Sequence, residues 1–394
     1  MISVAEALQA LFALTRPLPV EEVPLRQAAG RVMRADVRAF RDQPPFDGSA
    51  MDGYALIAAE AAPGARFTVI GESAAGARFD GSVASGQAVR IFTGAPVPAG
   101  ATRVVLQEDV TRDGDTITLG AALDAGPHIR PAGVDFAEGQ VFSAPRLLRP
   151  ADIALLAAMN QPRVAVSRRP EVALISTGDE LMLPGETPGP DQIIASNTFG
   201  LEAMFRAAGA RVRLLPLARD SRASLEATFR LAAGADLVVT IGGASVGDHD
   251  LVGRVAAGLG MEQSFHKVAM RPGKPLMSGR MGPDLGGAMM IGLPGNPVSA
   301  MVCGHVFVVP VLRAFQGLPA AAAPLSHAPL LEDLPENGPR AHYMRARLSA
   351  EGLSPFGSQD SSLLTLLSQA DALILRAPHA PATAAGSLQP YLPL

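Results

Sequence analysis

The sequence predicts a multidomain chain of α/β plus β type: a helical arm with an inserted β domain, a doubly wound α/β domain, and a small C-terminal β domain. Three observations lead there. From Pro170 to about residue 318, apolar strand-like runs alternate with helix-compatible segments, the rhythm of a parallel sheet wrapped by helices. From Arg66 to Leu119 the pattern changes to short β-prone runs split by glycine turns, as in a small all-β module. After the Pro/Ala-rich stretch PAAAAPLSHAPL, β character returns in YMRARLSA and ADALILRA. A chain of 394 residues fits about two to four domains. The expected boundaries are 1–42 with 129–168 for the arm, 43–128 for the inserted β domain, 169–318 for the α/β domain and 319–394 for the C-terminal β domain.

In chain order, residues 3–15 read as an amphipathic helix capped by Ser3, with Val4, Leu8, Leu11 and Phe12 on one face. LRQAAGRVMRADVRA follows as a helix or strand, and RDQPPFDGSAMDGYAL is too rich in Pro, Asp and Gly to be regular. Pro150 starts a second helix, which is expected to pack on the first because the two flank the β module. EVALIST opens the α/β rhythm. Asn197 is expected to cap a helix through Ala208, RVRLLPLA to be a strand, Ser221 to cap a helix through Ala233, and ADLVVTI to be the third strand. HDLVGRVAAGLG reads as a helix, SFHKVAM and AMMIGL as strands, and VSAMVCGHVFVVPVLRAF as a long helix kinked at Pro310.

Composition excludes several function classes. The net charge is −4 and only 18% of residues are charged, so there is no nucleic-acid-binding surface, and an anion site has to be local. Cys303 is the only cysteine, which rules out an internal disulfide and a multi-Cys metal site; a buried structural thiol is expected. The N-terminus lacks a basic region and a cleavage site, and the apolar run near Val302–Leu312 is interrupted by Gly304, His305 and Pro310. A soluble cytoplasmic protein without membrane spans is expected. Of the 33 basic residues only Lys267 and Lys274 are lysines. Either a codon bias toward Arg left two by chance, or a compact rotatable ammonium is wanted beside an anion, most of all at Lys274.

Four polar turns fall at the carboxyl ends of predicted strands, where open α/β sheets bind ligands. In GGASVGDHD, glycine N–H groups and Ser245 face an anion, while Asp248 and Asp250 either cap the next helix or hold Mg²⁺ against a phosphate. MRPGKP places Arg271 and Lys274 around a rigid turn, two cations for one small multivalent anion. GLPGNPVSA puts Asn296 at a helix N-cap, Pro297 at the first helical position and Ser299 just inside. STGDEL brings Asp179 and Glu180 to the end of the first strand. Upstream, Asp47 and Asp52 are either turn formers or functional carboxylates.

STGDEL, GGASVGDHD, RPGKP, GLPGNPVS, PPFDGSAMDGYA and IFTGAPVP together resemble the molybdopterin molybdenumtransferases, the bacterial MoeA type, related to the plant E domain and the animal gephyrin E domain. The resemblance runs over essentially the whole chain. It implies an elongated homodimer whose cleft joins the α/β domain of one subunit to the inserted β domain of the other. It also implies that adenylylated molybdopterin and molybdate are the substrates, that Mg²⁺ assists hydrolysis of the adenylate, and that AMP is released as molybdenum enters the dithiolene. By motif it assigns Asp52 and Thr93 to the inserted domain's wall, and with them Arg130 and Asp135 of IRPAGVD. Glu180 and Asp220 match positions facing the pterin nucleotide, and Asp248 and Asp250 the metal-side acids. Arg271, Lys274, Pro275 and Ser299 match the molybdate pocket, and Arg345, Ser361 and Ser362 are C-terminal contributors. Many relatives have Lys where Arg271 stands, which keeps the charge but not its geometry.

Two rivals differ in testable ways. An adenylyltransferase of the preceding step, itself a candidate partner, would resemble only the α/β part. A scaffold with a secondary binding role would not need intact polar turns.

Overall fold

The computed structural model describes residues 1–243 and 251–394. At its centre is a six-stranded sheet in the order Arg211–Leu214, Glu171–Ser176, Leu237–Ile241, Met289–Leu293, Met277–Arg280, Glu262–His266. The first four strands are parallel and the last two pairings antiparallel. The central strands Leu237–Ile241 and Met289–Leu293 are buried along their whole length because both faces are covered, whereas the edge strands Arg211–Leu214 and Glu262–His266 are largely exposed. Leu237, Val239 and Ile241 belong to a core that includes Phe205 and Phe307, while Val238 joins Phe229 and Val255 on the opposite face.

Local signals set most of the helices, with informative exceptions. Ser221 accepts from the Ser224 N–H and starts Arg222–Leu231, and Ser3 forms a reciprocal cap with Glu6 ahead of Val4–Leu14. Asn197 is not a cap. Helix Ser196–Ala207 begins one residue earlier, after Ala195, and the Asn197 amide donates to Gly295 O at 2.7 Å. The expected strand SFHKVAM is two, Glu262–His266 and Met270–Arg271, with Lys267 at φ +80° between them. Pro297–Cys303 is α-helical, Gly304–Val308 is a π turn, and Val309–Phe315 is α-helical again. Pro310 has no N–H for the carbonyl four residues back, and the wider turn absorbs that loss. Among the described residues this 19-residue stretch is long and apolar enough to cross a membrane, contrary to the sequence expectation. It is the core helix of the α/β layer, with 78% of its apolar window buried.

The two helices expected to pack together do not share a core. Ala7, Leu8 and Leu11 of Val4–Leu14 join the α/β core, whereas Leu156 of Pro150–Ala158 packs with Val23, Met33 and Val166. An 11-residue helix is marginal alone, and burying two leucines at about 1.5–3 kcal/mol each favours the larger apolar surface. The arm is also more strand than helix, a four-stranded antiparallel sheet in the order Val20–Pro24, Arg163–Ser167, Val32–Met33, Arg146–Leu147.

The β module is a six-stranded sheet in the order Arg103–Leu106, Gly53–Leu56, Gln87–Ile91, Arg66–Ser73, Thr116–Leu119, Val110–Asp113. Gly53, directly after Asp52, lies so close to the neighbouring strand that a Cβ would sit 1.9 Å from Val105 O. The C-terminal sheet runs Met270–Arg271, Ala341–Leu348, Ala372–Arg376, Leu388–Pro393, Ser326–Pro329. Its first strand leads straight into the R-P-G-K turn, so that turn hangs from the C-terminal domain.

Candidate functional site

The first strand of the α/β domain, Glu171–Ser176, pairs outward with Arg211–Leu214, and the chain then returns to Leu237–Ile241 on its other side. This reversal opens a crevice at the carboxyl ends of the two central strands. A cleft of about 810 Å³ lies there, floored by Thr177, Gly178, Gly242 and Gly243 and walled by Gly295 and Asn296. Glu180, Asp220, Pro275 and Ser362 line it as well, as do Leu181, Ile193 and Ile194. A smaller cleft of about 330 Å³ is lined by Arg271, Lys274, Pro275, Ser299 and Ser361, together with Arg340, Gln359 and Asp360. The two clefts meet at Pro275 and at the consecutive serines Ser361 and Ser362.

Why the cations stand where they do follows from one glycine. Gly273 has φ +106°, and a Cβ on it would lie 2.4 Å from Cys303 Sγ and 3.2 Å from Met270 Sδ. The turn therefore rests on the buried Cys303 thiol, which burial pushes well above its ordinary pKa and leaves as a packing group. Arg271 and Lys274 are exposed, and neither side chain has an ion-pair or hydrogen-bond partner among the described residues. Three cations, Arg271, Lys274 and Arg340, outnumber one carboxylate, Asp360, in the smaller cleft, and this net positive charge with Ser299 and Ser361 beside it suits a compact anion.

The C-terminal domain reaches both clefts through one loop. Ser361 O accepts from the Val298 N–H at 3.1 Å, and the Asn296 side chain donates to Ser361 Oγ at 3.0 Å, which pins the loop on the helix start. Asp360 Oδ1 accepts from the Ser362 N–H at 2.8 Å and its hydroxyl at 2.7 Å, and these bonds hold the carboxyl below its ordinary range. Arg345, expected as a direct ligand contact, lines neither cleft. It is 1% exposed and its guanidinium donates to main-chain carbonyls of this loop.

Asp52, Thr93, Arg130 and Asp135 line neither cleft. Asp52 Oδ1 accepts from both the N–H and the hydroxyl of Thr93, each at 2.7 Å, and these bonds lower its pKa. Arg130 is exposed in a two-residue strand paired with Gly48–Ser49, and Asp135 is exposed with its N–H on Gln43 O. Ser245, Asp248 and Asp250 lie outside the described residues. Among the described residues no group of three or more His, Cys, Asp or Glu is arranged to hold a metal. Glu180 and Asp220 are the acids that line the larger cleft there. Sequence reasoning missed Arg340, Gln359 and Asp360; the two last directly precede Ser361, and that adjacency was the available signal.

His342 is paired across strands with Arg271. Burial, then Arg271 and Arg340, push it down to about 4 from 6.5. Folding thus favours the neutral ring. The unfolded chain takes up more protons as pH falls from 6.5 toward 4, so this contribution to stability is intact above 6.5 and lost below it. Wild type is expected to lose more thermal stability over that interval than His342→Gln, as read from melting curves; equal slopes contradict the assignment.

Three family models together span most of the chain: "MoeA N-terminal region (domain I and II)" over residues 2–160, "Probable molybdopterin binding domain" over 173–314 and "MoeA C-terminal region (domain IV)" over 327–394. The chain is 35% identical to a molybdopterin molybdenumtransferase of Nostoc sp. over 95% of its own length and 89% of that protein. It is 36% identical to molybdopterin molybdenumtransferase 2 of Mycobacterium tuberculosis over 95% of both. A crystal structure of a molybdopterin biosynthesis moeA protein from Pyrococcus horikoshii matches with a TM-score of 0.83 at 26% identity, covering 100% of each chain.

Proposed function

Because the chain belongs to the family of molybdopterin molybdenumtransferases, transferases of molybdenum-cofactor biosynthesis, we propose that its two clefts hold the two substrates of one reaction. Adenylylated molybdopterin occupies the larger cleft and molybdate the smaller. The observation that carries this is the junction at Pro275 and Ser361–Ser362, which sets a three-cation anion site directly beside a cleft large enough for a pterin nucleotide. Molybdate is a tetrahedral dianion, and Arg271, Lys274 and Arg340 with the hydroxyls of Ser299 and Ser361 match its charge and its acceptors. Glycine N–H groups and the helix start at Asn296–Pro297 suit the phosphates. Water attacks the phosphoanhydride and AMP leaves, while the two dithiolene sulfurs bind the molybdenum of molybdate and one of its oxygens departs as water with the two thiol protons. Glu180 and Asp220 support an assignment of Mg²⁺ to the larger cleft, where it would offset phosphate charge.

Asp52, Thr93, Arg130 and Asp135, remote from both clefts of their own chain, are placed opposite the clefts of a second subunit in a homodimer. AMP release that depends on molybdate, followed by chromatography, tests the reaction; release unaffected by molybdate, or accumulation of adenylylated pterin from ATP, overturns it. Mixing Asp52→Ala and Lys274→Ala dimers at molybdate far below the KM of Lys274→Ala, where neither parent dimer turns over appreciably, tests the shared site. Half of the reassorted dimers carry one intact site of two, so about a quarter of wild-type activity should return. No recovery after confirmed exchange means that each chain supplies its own wall.

A further inference from the structure

Arg345 touches neither cleft, yet its hydrogen bonds converge on the loop that serves both. From strand Ala341–Leu348 its guanidinium donates to Asp360 O at 2.9 Å, Leu363 O at 3.2 Å and Ser358 O at 3.3 Å. Its main chain grips the same loop. The Arg345 N–H donates to Gln359 Oε1 at 3.0 Å, and its carbonyl accepts from Gln359 Nε2 at 3.1 Å and from the Phe356 N–H at 3.0 Å.

Burying a guanidinium is costly unless its donors are satisfied, and among the described residues this one makes no ion pair. An apolar side chain would fill the space at less cost, so the packing alone does not call for an arginine. What only a planar five-donor fork can do is hold three carbonyls of one irregular loop at once. The strand that carries it has a second attachment: Met270 pairs with Ala341 and Arg271 with His342, so the same strand holds the base of the cationic turn. One strand therefore sets both sides of the smaller cleft, the cations through strand pairing and the Ser361 side through the Arg345 fork.

We propose that Arg345 is a positioning residue for the oxyanion substrate, which holds the 358–363 loop in register with the R-P-G-K turn so that the Ser361 hydroxyl and the cations converge on one anion. This rests on the assignment of molybdate to the smaller cleft. Ser361 is itself tied to Asn296 and Val298, so a slack loop would still be anchored at one point, and the cleft would lose geometry before it lost its groups.

The test uses the full-length protein. In Arg345→Met the KM for molybdate is expected to rise on the order of tenfold while kcat stays within about threefold. The Kd of AMP, by calorimetry, is expected to stay within about threefold because the loop gives the larger cleft only Ser362. Arg345→Lys, which keeps the charge but reaches fewer carbonyls, should fall between Met and wild type. A lowered melting temperature with an unchanged molybdate KM would show a structural role only and overturn the proposal. If Arg345→Met does not fold, Arg345→Lys alone must raise the molybdate KM; no rise overturns the proposal equally. Wild type is assayed alongside: if its own AMP release ignores molybdate, the functional reading fails instead.

Discussion

Lys274→Ala is expected to weaken molybdate binding by about 10- to 100-fold, because a charge-assisted hydrogen bond to a partly desolvated anion contributes about 1.5–3 kcal/mol. Lys274 lines the smaller cleft, is exposed, and its side chain has no hydrogen-bond or ion-pair partner among the described residues, so truncating it should leave the fold and melting temperature unchanged. The loss should therefore appear wholly in ligand affinity, read by calorimetry with molybdate and again as the molybdate KM of AMP release. Lys274→Arg should recover only part, since a planar fork presents its donors differently from an ammonium on a flexible stem. An affinity equal to wild type in Lys274→Ala would remove the residue from the pocket and leave Arg271 and Arg340 to account for it.

Gly273→Ala should have the larger structural effect. At φ +106° an L side chain is strained by roughly 1–2 kcal/mol, and a Cβ only 2.4 Å from Cys303 Sγ adds over-packing of about 1–3 kcal/mol. The expected total, about 2–5 kcal/mol of lost stability in urea unfolding, should come with weaker molybdate binding because the turn has to shift away from the core. Adding Cys303→Ala removes the clashing sulfur, so the double variant should regain the over-packing part and keep the backbone part. Full additivity of the two substitutions would mean that the turn does not rest on that thiol.

Much of the architecture was legible in the sequence because it depends on local chemistry. Alternation of apolar runs with capped helical segments announces a covered parallel sheet, and Ser3 and Ser221 cap as their positions suggest. The R-P-G-K and G-N-P-V-S turns were visible for the same reason: Pro and Gly specify backbone geometry within a few residues. Partners distant along the chain were not visible. Val4–Leu14 shows an apolar face, but burial has no direction, and nothing in the helix says that the α/β core rather than helix Pro150–Ala158 will cover it. Arg345 read as one more cation near an anion site, since a sequence does not show whether a guanidinium points at a ligand or at its own main chain.

By itself, then, the sequence determined the alternation of strands and helices in the α/β domain, the glycines that permit the tight turns, and the cations Arg271 and Lys274 of the R-P-G-K turn, all of which are set by neighbours within a few residues. Tertiary structure alone decided that Met270–Arg271 joins the C-terminal sheet, that Arg340, Gln359 and Asp360 complete the smaller cleft, and that it opens beside the larger one at Pro275. Those facts depend on hydrogen bonds and burial between segments far apart along the chain, and such pairings depend on which surfaces fit together rather than on any residue's own preference.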